Sequence, residues 1–145
     1  MKERGTQFFP NKPLLTGELR NKLPKLYECE EKGLNALALV KFFTPDSNWT
    51  WYASEFDGED IFFGLVSGFE VKVGYFSLSE LQSVRGPLGL HIERDLYFVP
   101  QTLQELMERH KRERQHYGNL PDKNYQPYPY TTVARVNWQC IKLHQ

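Results

Sequence analysis

Short runs of apolar residues, separated by clusters of turn-forming residues, make up most of the first hundred positions. Runs of this length that are rich in β-branched and aromatic residues are typical of buried strands. The predicted strands are 36–43, 49–56, 61–66, a stretch that closes at Tyr75–Phe76, 95–99, and a late strand within 131–143. The dipeptide Asp57–Gly58 is a strong hairpin signal and predicts that the second and third strands pair.

The alternation of side chains along this hairpin sorts its residues onto two faces. One predicted face carries Tyr52, Ser54, Phe56, Ile61, Phe63 and Leu65, and the other carries Trp49, Trp51, Ala53, Glu55, Phe62 and Val66. Because both faces are apolar, one of them has to pack on helices. We expect the other either to be covered as well or to present aromatic side chains to a partner.

Helix start signals complete the predicted fold. The predicted helices are 17–23, capped by Thr16; 78–84, opened by the capping box Ser77–Glu80; and 103–117, opened by the capping box Thr102–Glu105. The expected fold class is α+β, a single domain in which an antiparallel sheet of four or five strands packs with two or three helices. This domain spans 14–117, between a flexible N-terminal arm, 1–13, and a Pro/Tyr-rich extension, 118–145.

The charge balance excludes two classes of protein as defaults. The 145 residues include 18 basic and 18 acidic side chains, which does not fit a wholly basic nucleic-acid binder or an acidic mimic of DNA. No apolar run reaches the roughly 18 residues of a membrane span, and two cysteines are too few for a disulfide framework. We therefore expect a cytoplasmic protein with reduced thiols and no membrane contact.

Basic residues are concentrated near the end of the last predicted helix. Residues 14–100 hold 13 acidic and 8 basic side chains, whereas residues 101–145 hold 4 acidic and 7 basic ones. The basic run contains Arg109, Lys111, Arg112 and Arg114. It is either a solvated helix face or a patch for phosphate groups, and the second interpretation makes the protein a nucleic-acid binder.

Motifs for catalysis are absent from the sequence, so we expect no catalytic residue and no cofactor. There is no Walker loop, no dinucleotide-binding glycine motif and no His-Glu-x-x-His. Acidic residues do surround the hairpin turn, and Glu55, Asp57 and Asp60 are candidate oxygen ligands for a hard cation in a metal-dependent hydrolase or nuclease. The alternative is that they are ordinary exposed turn acids.

The aromatic residues of the hairpin have three interpretations. A stacking platform for single-stranded nucleic acid requires basic residues nearby, and only Lys41 and Lys72 lie close in the sequence. Packing in the core fits the pattern better. Exposed Trp49 and Trp51 would equally suit a protein interface.

Five uncommon strings occur in one order along the chain: KFFTPDSNWTWYASEFDGED at 41–60, FFGLV at 62–66, GYFSLSEL at 74–81, RGPLGL at 85–90 and ERDLYF at 93–98. Together they resemble an uncharacterised bacterial family, domain of unknown function 2958, over about residues 14–106. The resemblance implies carriage by plasmids, phages and other mobile elements, often near genes for DNA transfer or anti-restriction. No established catalytic residues come with it.

The leading functional hypothesis is a non-enzymatic accessory protein of mobile elements that binds a protein partner in DNA processing or host-defence counteraction. The candidate partner-binding residues, chosen by chemistry and position in the motifs, are Asp46, Asn48, Trp49, Trp51, Arg85 and Arg94. Nucleic-acid binding through the 109–114 helix and metal-dependent hydrolysis at 55–60 are the two alternatives.

Overall fold

A computed structural model of the chain describes residues 13–117. Its elements are α1 (Gly17–Lys22), a 3₁₀ helix (Glu30–Asn35), β1 (Leu37–Ala38), β2 (Val40–Phe43), β3 (Thr50–Phe56), β4 (Ile61–Ser67), β5 (Val71–Ser77), α2 (Leu78–Ser83), β6 (Glu93–Arg94), β7 (Gln101–Thr102) and α3 (Leu103–Tyr117). The predicted arm up to residue 12, the Pro/Tyr-rich extension and the late strand lie outside the described residues. Among the helices that are described, none has the length and apolar character needed to cross a bilayer.

In this part of the chain, five strands form an antiparallel sheet in the order β5-β4-β3-β2-β6. The short strands β1 and β7 form a second, two-stranded antiparallel sheet. Helices pack against the larger sheet, so the predicted α+β fold is confirmed.

The predicted strand 36–43 is divided between the two sheets. Residues 37–38 pair with β7, and residues 40–43 pair with β3. Between them the Leu39 N–H donates to the carbonyl oxygen of Ala53 (2.8 Å). One apolar run therefore contributes to both sheets.

A β-bulge at Ser54 changes the faces of the central hairpin. Tyr52 pairs with Leu65 and Phe56 pairs with Phe62, which leaves one extra residue on β3 between the two pairs. The alternation of side chains is displaced beyond such a bulge. Phe56 therefore lies in the core with the tryptophans, and Glu55 lies on the face of Tyr52. The predicted faces of these two residues are wrong.

Both faces of the five-stranded sheet are covered. On the face that we call the α2 face, Trp49 and Trp51 pack with Leu15, Leu23, Leu78, Leu81, Val84 and Ile92. On the opposite face, the α3 face, Tyr52 and Leu65 pack with Ala36, Ala38, Val71, Leu103 and Leu106. Of the two outcomes that the sequence left open, coverage of both faces is the one observed.

The predicted strand 95–99 is wrong. Pairing with β2 ends at Arg94. Asp95 then accepts a hydrogen bond on Oδ1 from the N–H of Tyr97 (2.9 Å). An aspartate that binds the backbone two residues ahead favours a turn over a strand, and the chain turns here although its composition is strand-like.

All three predicted helix starts are confirmed by their caps. Thr16 Oγ1 accepts from the N–H three residues ahead (3.2 Å), and Ser77 Oγ does the same (3.3 Å). Thr102 and Glu105 form a complete capping box, with the N–H of each residue donating to the side chain of the other at 3.0 and 3.1 Å. These contacts satisfy N–H groups that a helix start leaves open.

Candidate functional site

The carboxylates that were candidate metal ligands bind the backbone instead. Asp57 Oδ1 accepts three N–H groups, from residues 59, 60 and 61, at 2.8, 2.8 and 3.0 Å. Asp60 accepts from the Ser79 N–H (2.8 Å) and from the hydroxyls of Ser77 and Ser79 at the start of α2. Glu55 is buried on the α3 face.

The structure does not bring these three carboxylates together. Among the described residues, no group of three His, Cys, Asp or Glu side chains could hold a metal ion. Burial alone would raise the pKa of Asp57, but the N–H donors around it outweigh that effect and lower its pKa. The metal-dependent alternative at Glu55, Asp57 and Asp60 therefore gains no support.

Two of the predicted partner-binding residues, Trp49 and Trp51, lie in the core of the α2 face. Each is 1% exposed, and their ring centroids are 5.8 Å apart. In this arrangement neither ring can contact a partner or stack on a base. Their burial corrects the prediction that they form an exposed interface.

Two further predicted residues, Asp46 and Arg85, hold the loop between α2 and β6. Asp46 Oδ2 accepts from the Leu88 N–H (2.8 Å), and its carboxylate occupies the space beside Gly86, where a Cβ would lie 1.6 Å from Oδ1. Arg85 donates to two carbonyl oxygens at the end of α2 (3.2 and 3.0 Å). Asn48 is exposed in the neighbouring turn.

The last predicted partner-binding residue, Arg94, lies on β6. Its guanidinium donates to the carbonyl oxygen of Leu14, at the start of the described chain. Asp46, Arg85 and Arg94 thus all make hydrogen bonds to backbone groups of the chain.

Sequence reasoning missed a set of exposed apolar side chains that flank β6. We call Leu88, Leu90, Leu96, Tyr97 and Val99 the β6 patch; their exposed fractions are 80, 45, 60, 91 and 67%. β6 is a two-residue strand at one edge of the sheet. Because six residues of extended chain span at most about 20 Å, the backbones at Leu90 and Leu96 lie no farther apart than that. Large apolar side chains concentrated along one edge are typical of interaction sites.

The fold holds the patch in place. The Asp46 carboxylate fixes the loop before β6, because it accepts a hydrogen bond from the Leu88 N–H. After β6, Asp95 accepts from the Tyr97 N–H and forms an ion pair with Lys41 (3.5 Å). Phe98 turns inward, with its ring centroid 5.6 Å from that of Tyr52. Because its backbone is held in this way, the patch would need little further ordering on binding, which reduces the entropic cost of association.

A polar pair, Tyr52 and His110, lies on the α3 face of the sheet, next to Phe98. Tyr52 Oη and His110 Nε2 are 2.6 Å apart. Burial raises the pKa of Tyr52, and the Arg109 guanidinium partly opposes this. Burial also lowers the pKa of His110, against the opposing charge of Glu113. The pair joins β3 to α3 through a neutral imidazole.

The basic run on α3 contains two cations that hydrogen-bond to other parts of the chain and two that are exposed. Arg109 donates to Gln101 Oε1 (3.1 Å), and Arg114 donates to two carbonyl oxygens of the β4–β5 turn. Lys111 and Arg112 are exposed. Contacts within the chain therefore occupy two of the four cations that were candidates for binding phosphate groups.

Comparison with known families finds one family that matches most of the chain. The sequence profile of a family described as "Protein of unknown function (DUF2958)" matches residues 14–116. The chain belongs to this family. The match confirms the resemblance and extends it ten residues beyond the expected end at about 106, so the basic run lies inside the family region. Searches of curated proteins and of solved structures found no match.

Proposed function

We propose that this domain is a non-enzymatic protein-binding module and that the β6 patch is its docking surface. The observation that carries the proposal is the exposure of five large apolar side chains on a backbone held by side-chain contacts. Tyr97, at 91% exposed, is the principal anchor. Tyrosine is among the residues that contribute most to binding when a partner buries them.

The partner that suits this surface is a protein with an apolar pocket. We further propose that it belongs to a DNA-processing or host-defence system encountered by mobile genetic elements. The support for this finer proposal is membership of the family, together with the association that the resemblance implies.

A tagged pull-down from host lysate, treated with nuclease, tests the proposal. The double variant Leu96→Ser/Tyr97→Ser removes apolar surface without disturbing the core, because both side chains are exposed. We expect the wild type to retain a stoichiometric protein and the double variant to lose it. Leu37→Ser is the matched control, since Leu37 is 49% exposed and lies outside the patch. Retention by the double variant would contradict the proposal.

Nucleic-acid binding through α3 is the second proposal, because Lys111 and Arg112 are exposed. It predicts that DNA affinity falls steeply with salt and is lost on charge reversal of both residues. Proteins recovered only without nuclease would favour this function over protein binding.

A further inference from the structure

A cavity of about 190 Å³ lies on the α3 face, between the 3₁₀ segment, the central strands and the start of α3. Its apolar wall includes Leu34, Phe63, Val73 and Leu103. An apolar cavity of about 150 Å³ is large enough to take up benzene. The space therefore suits one aromatic ring with a short substituent.

One wall of this cavity carries a deeply buried carboxylate. Glu55 is 4% exposed and accepts N–H groups from Tyr27 (2.9 Å) and Cys29 (2.7 Å). The Cys29 thiol also hydrogen-bonds to Glu55. A carboxylate offers about four acceptor positions, so these three bonds do not use all of them. The bulge at Ser54 is what turns Glu55 toward this side of the sheet.

The charges around the cavity favour a cation. Among the described residues, the ion pairs are Lys41–Asp95 and Lys72–Glu70, so neither pair neutralises Glu55. The lining also includes the exposed Glu30 and contains no basic residue, although the exposed Lys32 lies close enough to Cys29 to act on its pKa. A buried carboxylate without a cationic partner is costly, and a bound cation offsets that cost.

Cys29 adds a neutral group to the same wall. Burial raises the pKa of its thiol, and the negative charge of Glu55 raises it further. The thiol therefore keeps its proton at neutral pH and contributes no second buried charge beside the carboxylate.

We propose that this cavity binds a small organic cation: a single aromatic ring that fills the apolar space, carrying a protonated amine that donates to Glu55. The site is separate from the β6 patch. It uses the buried carboxylate as a selective acceptor, because a neutral ligand of the same shape leaves that charge uncompensated.

Titration of the isotope-labelled full chain with benzylamine, followed by amide NMR shifts, tests the site. Benzyl alcohol is the neutral probe of similar shape, and benzoate is the anionic one. We expect saturable shifts at Tyr27, Cys29 and Phe63, with benzylamine binding at least about tenfold more tightly than benzyl alcohol, since hydrogen bonds to charged groups are the stronger ones. Equal affinities, benzoate binding, or no shift at these amides would overturn the proposal.

Two variants test which residues of the cavity produce the preference for benzylamine over benzyl alcohol. Glu55→Gln keeps an acceptor and removes the charge, so it should abolish the preference for benzylamine, whereas Glu59→Gln in the exposed turn should preserve it. Val73→Phe narrows the cavity without altering Glu55 and should weaken both benzylamine and benzyl alcohol; it decides the question if Glu55→Gln does not fold. Unchanged binding in a folded Glu55→Gln or Val73→Phe variant would overturn the proposal.

Discussion

At the scale of single residues, the bond between Tyr52 and His110 is the clearest link between the sheet and α3. Tyr52→Phe leaves the half-buried imidazole without this partner, and we expect it to lower the free energy of unfolding by about 1–3 kcal/mol. Urea denaturation measures this. In a double-mutant cycle with His110→Leu, the double variant should lose less than the two single variants combined. Additive losses would contradict a direct interaction.

His110 also makes stability depend on pH. Burial lowers its pKa in the folded state, whereas in the unfolded chain the imidazole returns to about 6.5. As the pH falls below that value, the unfolded state takes up the proton first, so the free energy of unfolding decreases. The contribution of His110 is complete above about 6.5 and is lost toward lower pH. His110→Gln should flatten the dependence measured between pH 7 and 5; an unchanged slope would contradict this assignment.

At the scale of elements, β3 and β4 approach each other too closely for any side chain at Gly64. A Cβ at that position would lie 1.7 Å from the carbonyl oxygen of Tyr52. Gly64→Ala therefore has to push the central strands apart, and we expect a loss of about 3 kcal/mol or more in denaturation experiments. Gly17→Ala is the control, because a Cβ there meets nothing within 4 Å. Equal stability of the two variants would contradict the strand packing.

Sequence reasoning succeeded for elements whose signals are local. The cap residues Thr16, Ser77 and Thr102 bind N–H groups three positions ahead, so a short sequence window contains the whole signal. Gly64 in the third predicted strand suggests a bulge or a close backbone approach, but the position of the bulge, at Ser54 on β3, depends on how β3 and β4 pair, which composition does not encode. The turn at Asp95 was missed because the next residues have strand-like composition.

At the scale of the whole molecule, the aromatic sheet is enclosed on both faces, so its tryptophans stabilise the core. Of the large apolar side chains exposed in the part of the chain that the structure describes, five flank the sheet edge at β6. The β6 patch could not be predicted from the sequence. An apolar residue such as Leu96 or Tyr97 gives the same sequence pattern whether the fold buries its side chain or exposes it. In the same segment the ring of Phe98 contacts Tyr52, whereas Leu96, Tyr97 and Val99 stay exposed.

The most direct test of the protein-binding proposal is photo-crosslinking in host cells from a benzoyl-phenylalanine placed at position 97. The same group at position 37, also exposed but outside the β6 patch, is the matched control. We predict that one protein crosslinks from position 97 and not from position 37, and that Leu96→Ser reduces its yield. Absence of a crosslinked protein at position 97, or the same proteins from both positions, would contradict a docking role for the β6 patch.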